Sequence, residues 1–358
     1  MKIAVLNLPF DNNYGGNLQR YALISVLQKM GHQVEHLNIV RNYKLPWFKK
    51  PFSYTKRIIK NIYGNDSPLF IEKYALLESL KKNALALEFY NKYIPHTTEI
   101  HTVTELKKIC KGHYDAYIVG SDQVWREDMT KNIGLDNYFL KFVQNEDVKR
   151  IAYAVSFGSN KVYAEDLIHK LTPLYAKFNA ISVRENSSFE LLKSYGWIAP
   201  KPIWTLDPTL LLSIADYKFL ITKANVSNSL KEKIFCYILD MDEEKRILIE
   251  QYERLLNKNS VIVSLTDTDK ISIEQWLNNI LTCDFVVTDS YHGVLFSILF
   301  NKSFFFVGNK RRGNSRVESL LKMLGIDSNI GKIDWEKTNK KLYEWRILSQ
   351  RYLHEALS

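Results

Sequence analysis

Cysteine is scarce in this chain of 358 residues, and the three present lie far apart: Cys110, Cys236 and Cys283. Odd in number and set in apolar runs, they form neither a disulfide framework nor a metal cluster. No metal is expected, and a reduced, cytoplasmic location is. Long apolar runs are missing too, since no window approaches the roughly 18 residues that a membrane span needs. The opening Met1-Lys2-Ile3-Ala4-Val5-Leu6-Asn7 is too short for a signal peptide and turns directly into what reads as a first strand. Zinc-finger spacing, an RNA-recognition signature and Arg/Gly tracts are absent, which argues against nucleic acid as a partner. There are no repeats and no low-complexity tracts.

What is present is a globular composition, 46% hydrophobic and 25% charged, in a chain long enough for two domains. The formal net charge is +10. Its excess gathers between residues 41 and 60, where Arg41, Lys44, Lys49, Lys50, Lys56, Arg57 and Lys60 meet no acidic residue. Trp47, Phe48, Phe52 and Tyr54 are interleaved. Cations among aromatic rings suit an anionic lipid interface, and with it a peripheral position at the inner face of a membrane. A solvated basic loop is the plainer reading.

Periodicity predicts a βαβ opening: a strand over 2–8, a helix over 17–30 closed by Gly31, and a strand over 34–40. Residues 41–112 read as a helical insertion. Strands follow over 114–119, 150–157 and 180–183. Pro200, Pro202 and Pro208 mark a domain boundary near residue 200. The alternation then restarts, with strands over 233–239, 261–265, 285–288 and 303–307. Helices fall over 243–257, 273–281 and 294–300. A last amphipathic helix, 335–357, follows the second domain (201–334) and is expected to pack back across the junction. The expectation is α/β: two Rossmann-like doubly wound domains facing a central cleft, with ligand sites at the strand ends.

Five polar clusters sit at those ends. Asp289-Ser290-Tyr291-His292-Gly293 lies between an apolar strand and an apolar helix. A helix start there, with Asp289 or Ser290 as N-cap, offers free N–H groups to a phosphate or carboxylate, and His292 can exchange protons beside it. The plainer reading is a capped helix with a packing histidine. Gly15-Gly16-Asn17-Leu18-Gln19 allows close backbone approach to a ligand, but it is not G-x-G-x-x-G, so a dinucleotide is not expected. Gly120-Ser121-Asp122-Gln123-Val124-Trp125 presents a carboxylate at a cleft edge and a ring on which a sugar could stack; an N-cap with a core tryptophan is the alternative. Ser182-Val183-Arg184-Glu185 offers a guanidinium that grips an anion or merely pairs with Glu185. Arg311-Arg312-Gly313-Asn314-Ser315-Arg316 closes over an anion or is a solvated loop.

In this order, and together with Arg20-Tyr21-Ala22-Leu23 and Asp207-Pro208-Thr209, these clusters resemble the polysaccharide pyruvyl transferase family over roughly residues 2–325. The resemblance implies a GT-B-like fold and transfer of the enolpyruvyl unit of phosphoenolpyruvate to a sugar as a ketal, during capsule, cell-wall or exopolysaccharide synthesis. It implies Arg184 as a phosphoenolpyruvate-binding arginine and His292 as a catalytic histidine. Where some members carry Arg-Leu before that histidine, this chain has Ser290-Tyr291, so an anion contact made there by arginine either comes from elsewhere, with Arg312 and Arg316 as the candidates, or is missing. Asp122 is the candidate base for the sugar hydroxyls. Ser290 and Gly293 complete the anion site, and Gly16, Asn17, Gln19, Ser121 and Trp125 are expected at the substrate. No cofactor is demanded, and the acceptor sugar is free or lipid-linked. Rival readings are a nucleotide-sugar glycosyltransferase on the same fold and a non-catalytic, membrane-associated assembly factor.

Overall fold

The computed structural model describes residues 1–41, 50–63, 70–226, 229–264, 271–309, 313–327 and 333–358. The first lobe opens with β1 (Lys2–Leu6), α1 (Tyr14–Lys29) and β2 (Gln33–His36). The expected helical insertion contains α2 (Lys50–Ile62), α3 (Ile71–Tyr93) and α4 (Val103–Cys110). Then come β3 (Ala116–Val119), β4 (Lys149–Val155), α5 (Glu165–Tyr175), β5 (Ala180–Val183), α6 (Asn186–Ser194) and β6 (Ile203–Trp204). The second lobe carries α7 (Ile214–Lys223), β7 (Ile234–Ile238), α8 (Glu243–Leu256), β8 (Ser260–Ser264) and α9 (Ile273–Thr282). It continues through β9 (Phe285–Thr288), α10 (Tyr291–Leu299), β10 (Phe304–Phe306) and α11 (Ser315–Leu324), and α12 (Trp335–Leu357) ends the chain.

Each lobe holds a parallel sheet, ordered β2-β1-β3-β4-β5-β6 in the first and β10-β9-β7-β8 in the second. Central strands such as β3 and β7 are apolar at every position and buried throughout, as a sheet covered by helices on both faces requires. The architecture is the expected pair of doubly wound lobes. Cys110, Cys236 and Cys283 are free and buried, and burial pushes their thiols up to about 12.

Two details differ from the sequence expectation. Helix α1 starts at Tyr14, so Gly15 and Gly16 lie in its first turn and not in a loop; the Asn13 side chain accepts from the Gly16 N–H and caps the helix early. Helix α10 starts at Tyr291 behind its Ser290 cap, as the N-cap expectation has it. The proline cluster contains β6, which pairs with Ser182 and Val183 and carries the first sheet past residue 200. Two residues are too few to show a period.

Helix α12 ties the lobes together. Tyr352 donates to the Ala152 carbonyl of β4 (2.9 Å), Ser349 accepts from the Leu206 N–H (2.9 Å), and the Trp345 indole donates to the Met323 carbonyl of α11 (3.2 Å).

Candidate active site

Ligands of doubly wound sheets bind where strand order reverses. In the first sheet that point lies between β1 and β3, whose C-terminal ends run into residues 7–16 and 120–123. In the second it lies between β7 and β9, which run into Leu239 and residues 289–292. All four ends converge on one cavity of about 340 Å³, walled by Asn13, Gly16, Asp122, Leu239, Ser290 and His292 among others. The N-termini of α1 and α10 therefore open on the same space from opposite lobes, and the positive ends of their dipoles favour an anion there. Arg20, Arg41, Lys131 and Arg316 also line it.

His292 is held in place from three sides. Asp289, buried, accepts from the Leu239 N–H (2.6 Å), the Asp240 N–H (3.2 Å), Lys245 Nζ (2.9 Å) and Asn309 Nδ2 (2.9 Å), and so fixes the turn before α10. Ser290 caps the helix by accepting from the Gly293 N–H (3.3 Å). Behind the imidazole stands Gly15 of the other lobe, where a Cβ would fall 2.0 Å from His292 Nδ1. Only glycine permits that approach. Gly15→Ala should displace the ring and lower turnover by about a hundredfold, as misplacement near 1 Å can. The helix itself gains propensity from alanine, so thermal stability should hold. A folded Gly15→Ala enzyme with full turnover would remove this contact from the site's requirements.

A buried carboxylate joins the lobes chemically. Asp207, just after β6, accepts from Gln19 Nε2 (2.5 Å), Arg184 Nη1 (2.9 Å) and Thr209 (Oγ1 at 2.7 Å), and Ser121 Oγ stands 3.4 Å away. The same Oδ2 lies 3.8 Å from His292 Nε2, a nitrogen that is buried and lacks a hydrogen-bond partner. Burial would raise the Asp207 carboxyl, but His292 and Arg184 outweigh it and hold the group below the usual carboxylate range. Burial drives the His292 imidazole down to about 4; Asp207 and Asp122 oppose the shift, and Arg184 and Arg316 add to it. In the protein alone the ring is neutral at pH 7.

Asp122 has φ of 78°, a left-handed conformation that costs a non-glycine residue about 1–2 kcal/mol. Its side chain meets Arg184 Nη2 at 3.2 Å and lines the cavity. Burial pushes this carboxyl up, but Arg184, Arg316 and His292 together bring it below its ordinary value. It is an ionised acceptor and only a weak base. Tyr291 lies between two cations, with Arg184 at 4.7 Å and Arg316 at 5.6 Å from its ring centre. A cation at the cavity wall thus accompanies Ser290-Tyr291, supplied by Arg316 from α11. Arg312 lies outside the described residues.

Several expected site residues stand elsewhere. Arg184 does not line the cavity; its buried guanidinium is spent on Asp122 and Asp207, with Glu185 Oε2 3.6 Å from Nε. Trp125 offers no face to a sugar. It is wholly buried, stacked on Phe139 at 4.6 Å, and donates to the Tyr138 carbonyl, because a ring this apolar is worth more in the core than at the rim. Gly293 has its N–H engaged by Ser290 and packs where a Cβ would strike Thr288. Asn17 secures the loop by donating to the Asp11 and Asn13 carbonyls, and Gln19 and Ser121 serve Asp207 from beneath the cavity. Asp207, Arg20 and Gly15 were not singled out from sequence. All three lie inside motifs already noticed, but their roles depend on partners far along the chain.

A profile of polysaccharide pyruvyl transferases matches residues 13–311. The chain belongs to that family. It is therefore a transferase, of pyruvyl groups in polysaccharide synthesis, and the family implies a pyruvyl donor and a polysaccharide acceptor. No curated protein is close enough in sequence to count as a match. Among solved structures, a putative UDP-N-acetylglucosamine 2-epimerase from Listeria monocytogenes is similar at TM-score 0.51 and 8% identity, covering 99% of this chain and 90% of that one. A glycosyltransferase from Rickettsia africae is similar at 0.48 and 11% identity, covering 99% and 97%. The UDP-N-acetylglucosamine 2-epimerase from Rickettsia bellii gives 0.47 and 10%, covering 100% and 97%. The likeness to the Listeria protein is one of fold, the two-lobed GT-B-like arrangement.

Proposed function

We propose that the protein transfers the enolpyruvyl group of phosphoenolpyruvate to two hydroxyls of one sugar, forming a pyruvate ketal and inorganic phosphate. The observation that carries this reading is the buried, unpartnered Nε2 of His292 on the wall of a cavity that Arg20 and Arg316 also line. Phosphate and carboxylate lie against those cations and the N-termini of α1 and α10. The two negative groups raise His292 from its depressed value, and the imidazolium protonates the methylene carbon, which becomes a methyl. One sugar hydroxyl then bonds to the central carbon. The C–O bond to phosphate breaks, and the second hydroxyl closes the ketal. Of the two protons the hydroxyls release, one restores that given by His292 and the other leaves on phosphate. Asp122 accepts a hydrogen bond from the attacking hydroxyl and takes its proton only as the new bond forms. Arg184 acts through Asp122 and Asp207. In the same reading the acceptor sugar is free or lipid-linked and the work is cytoplasmic; no described helix is long and apolar enough to cross a membrane.

Release of inorganic phosphate from phosphoenolpyruvate, dependent on an added nucleotide- or lipid-linked sugar, is the direct test. In thermal-shift measurements phosphoenolpyruvate should stabilise the protein, by about 2.7 kcal/mol at a hundred times its Kd. Stabilisation by uridine or guanosine diphosphate alone would instead favour a nucleotide-sugar donor.

Binding should also take up a proton. The free ring titrates near 4 and the donor raises it, so between those two values the complex holds more protons than the free protein and affinity rises as pH falls. Calorimetry in two buffers of different ionisation enthalpy reads the uptake. His292→Asn should reduce it, and an unchanged uptake in that variant would mean that the proton goes elsewhere.

A further inference from the structure

The described part of the insertion leaves a large apolar surface uncovered. Helix α2 buries none of its residues. Phe52 and Ile62 are each 76% exposed and Tyr63 is 85% exposed. At 100° per residue, Phe52, Ile59, Ile62 and Tyr63 fall on one side of the helix, with Lys56 and Lys60 along its border. At the start of α3, Phe70, Tyr74 and Leu77 are exposed as well. The two helices are joined as a unit: Arg57 of α2 makes a two-pronged pair with Glu72 of α3 (2.9 and 2.5 Å), and Tyr54 meets Phe70 edge-on at 5.5 Å.

The geometry points to this helix pair as a docking surface for an anionic lipid bilayer, one that brings a lipid-carried acceptor to the cavity. The inference rests on the pyruvyl transferase reading and extends it to the acceptor's carrier. Three observations support a bilayer over another occupant. The charge is complementary, since α2 carries Lys50, Lys56 and Lys60 besides the Glu72-paired Arg57, and no acidic residue. An apolar stripe bordered by lysines, with aromatic rings, is the pattern of a helix lying in the headgroup region. Finally, the insertion reaches the site: a hollow of about 250 Å³ beside Ala75, Ser79 and Asn83 of α3 shares Asp11 and Arg41 with the wall of the main cavity. A carrier held at the helix pair can extend its sugar along that hollow. Of the basic run expected from sequence, Lys44, Trp47, Phe48 and Lys49 lie outside the described residues.

Vesicle co-sedimentation of the full chain, without donor or acceptor, tests the surface apart from the chemistry. The wild type should sediment with phosphatidylcholine–phosphatidylglycerol vesicles and not with phosphatidylcholine alone. Neutralising Lys56 and Lys60 with glutamine should weaken partitioning about thirtyfold at low salt, and Phe52→Ser with Ile62→Ser should abolish it. These residues are remote from the reacting groups, so all variants should keep the donor-induced thermal shift. Failure to bind anionic vesicles, or binding indifferent to both sets of changes, would overturn the inference and leave the transferase reading standing. Concentration-dependent dimerisation lost in Phe52→Ser/Ile62→Ser would assign the surface to a second copy instead. Loss of the donor shift in wild type would count against the transferase reading alone.

Discussion

Replacing His292 by alanine is expected to lower pyruvyl transfer by roughly 10²–10⁴-fold, the span of a general acid, while the protein stays folded. The size of the loss follows from the isolation of the ring. Its Nε2 has no hydrogen-bond partner, and its neighbours are the Asp207 and Asp122 carboxylates and the cations Arg184 and Arg316. At neutral pH the carboxylates are acceptors only, and arginine does not release its proton. Among these neighbours His292 alone can deliver a proton to the donor's methylene. The fold should tolerate the change because alanine is a good helix former and the ring faces a cavity, not the sheet. Phosphate release and the thermal midpoint, measured together, decide it. A folded His292→Ala protein with wild-type turnover would end the acid–base role. Loss of both readouts would be settled by His292→Asn, which keeps a similar volume.

The largest effect on stability should come from Arg184→Ala. A guanidinium gripping a ligand at the rim could be removed with little change in unfolding. Arg184 has a different position: it is buried, 2.9 Å from Asp207 and 3.2 Å from Asp122, with Glu185 at 3.6 Å. Burial opposes its charge, yet Tyr291 and the three carboxylates hold the guanidinium well above its ordinary value. Its removal leaves Asp207 as an uncompensated buried charge, and breaking such a pair costs about 3–5 kcal/mol. Against a total stability of about 5–15 kcal/mol, that shift is large in a urea titration. Arg184→Lys should recover part of it, since an ammonium reaches one carboxylate but not the fork of two. An unchanged urea midpoint with a raised KM for donor would show that Arg184 serves the ligand directly.

The two variants also separate what the chain reveals locally from what folding adds. Parallel strands such as β7 and β9 are short apolar runs bounded by polar residues, and such runs report burial wherever they occur. Helix α12 was legible over its full length, Trp335–Leu357, because Leu342, Trp345, Tyr352, Leu353 and Leu357 recur at helical spacing. The start of α10 was legible as well, since Ser290 caps it by a contact three residues long. Positions of candidate residues at strand ends follow from the same local patterns.

Pairing between distant residues left no such trace. Gln19 meets Asp207 across 188 positions, Gly15 accommodates an imidazole from the other lobe, and Trp125 has the same flanking sequence whether it lines a cleft or fills a core. Periodicity reports which face of an element is buried but not what it is buried against. By itself the sequence determined most of the strands, their alternation with helices and the polar clusters at their ends. Packing of the two lobes alone decided which clusters share the cavity, that Asp207 links Arg184 with His292, and that Arg184 lies behind the wall. Those outcomes depend on low-dielectric contacts that exist only once both sheets are assembled.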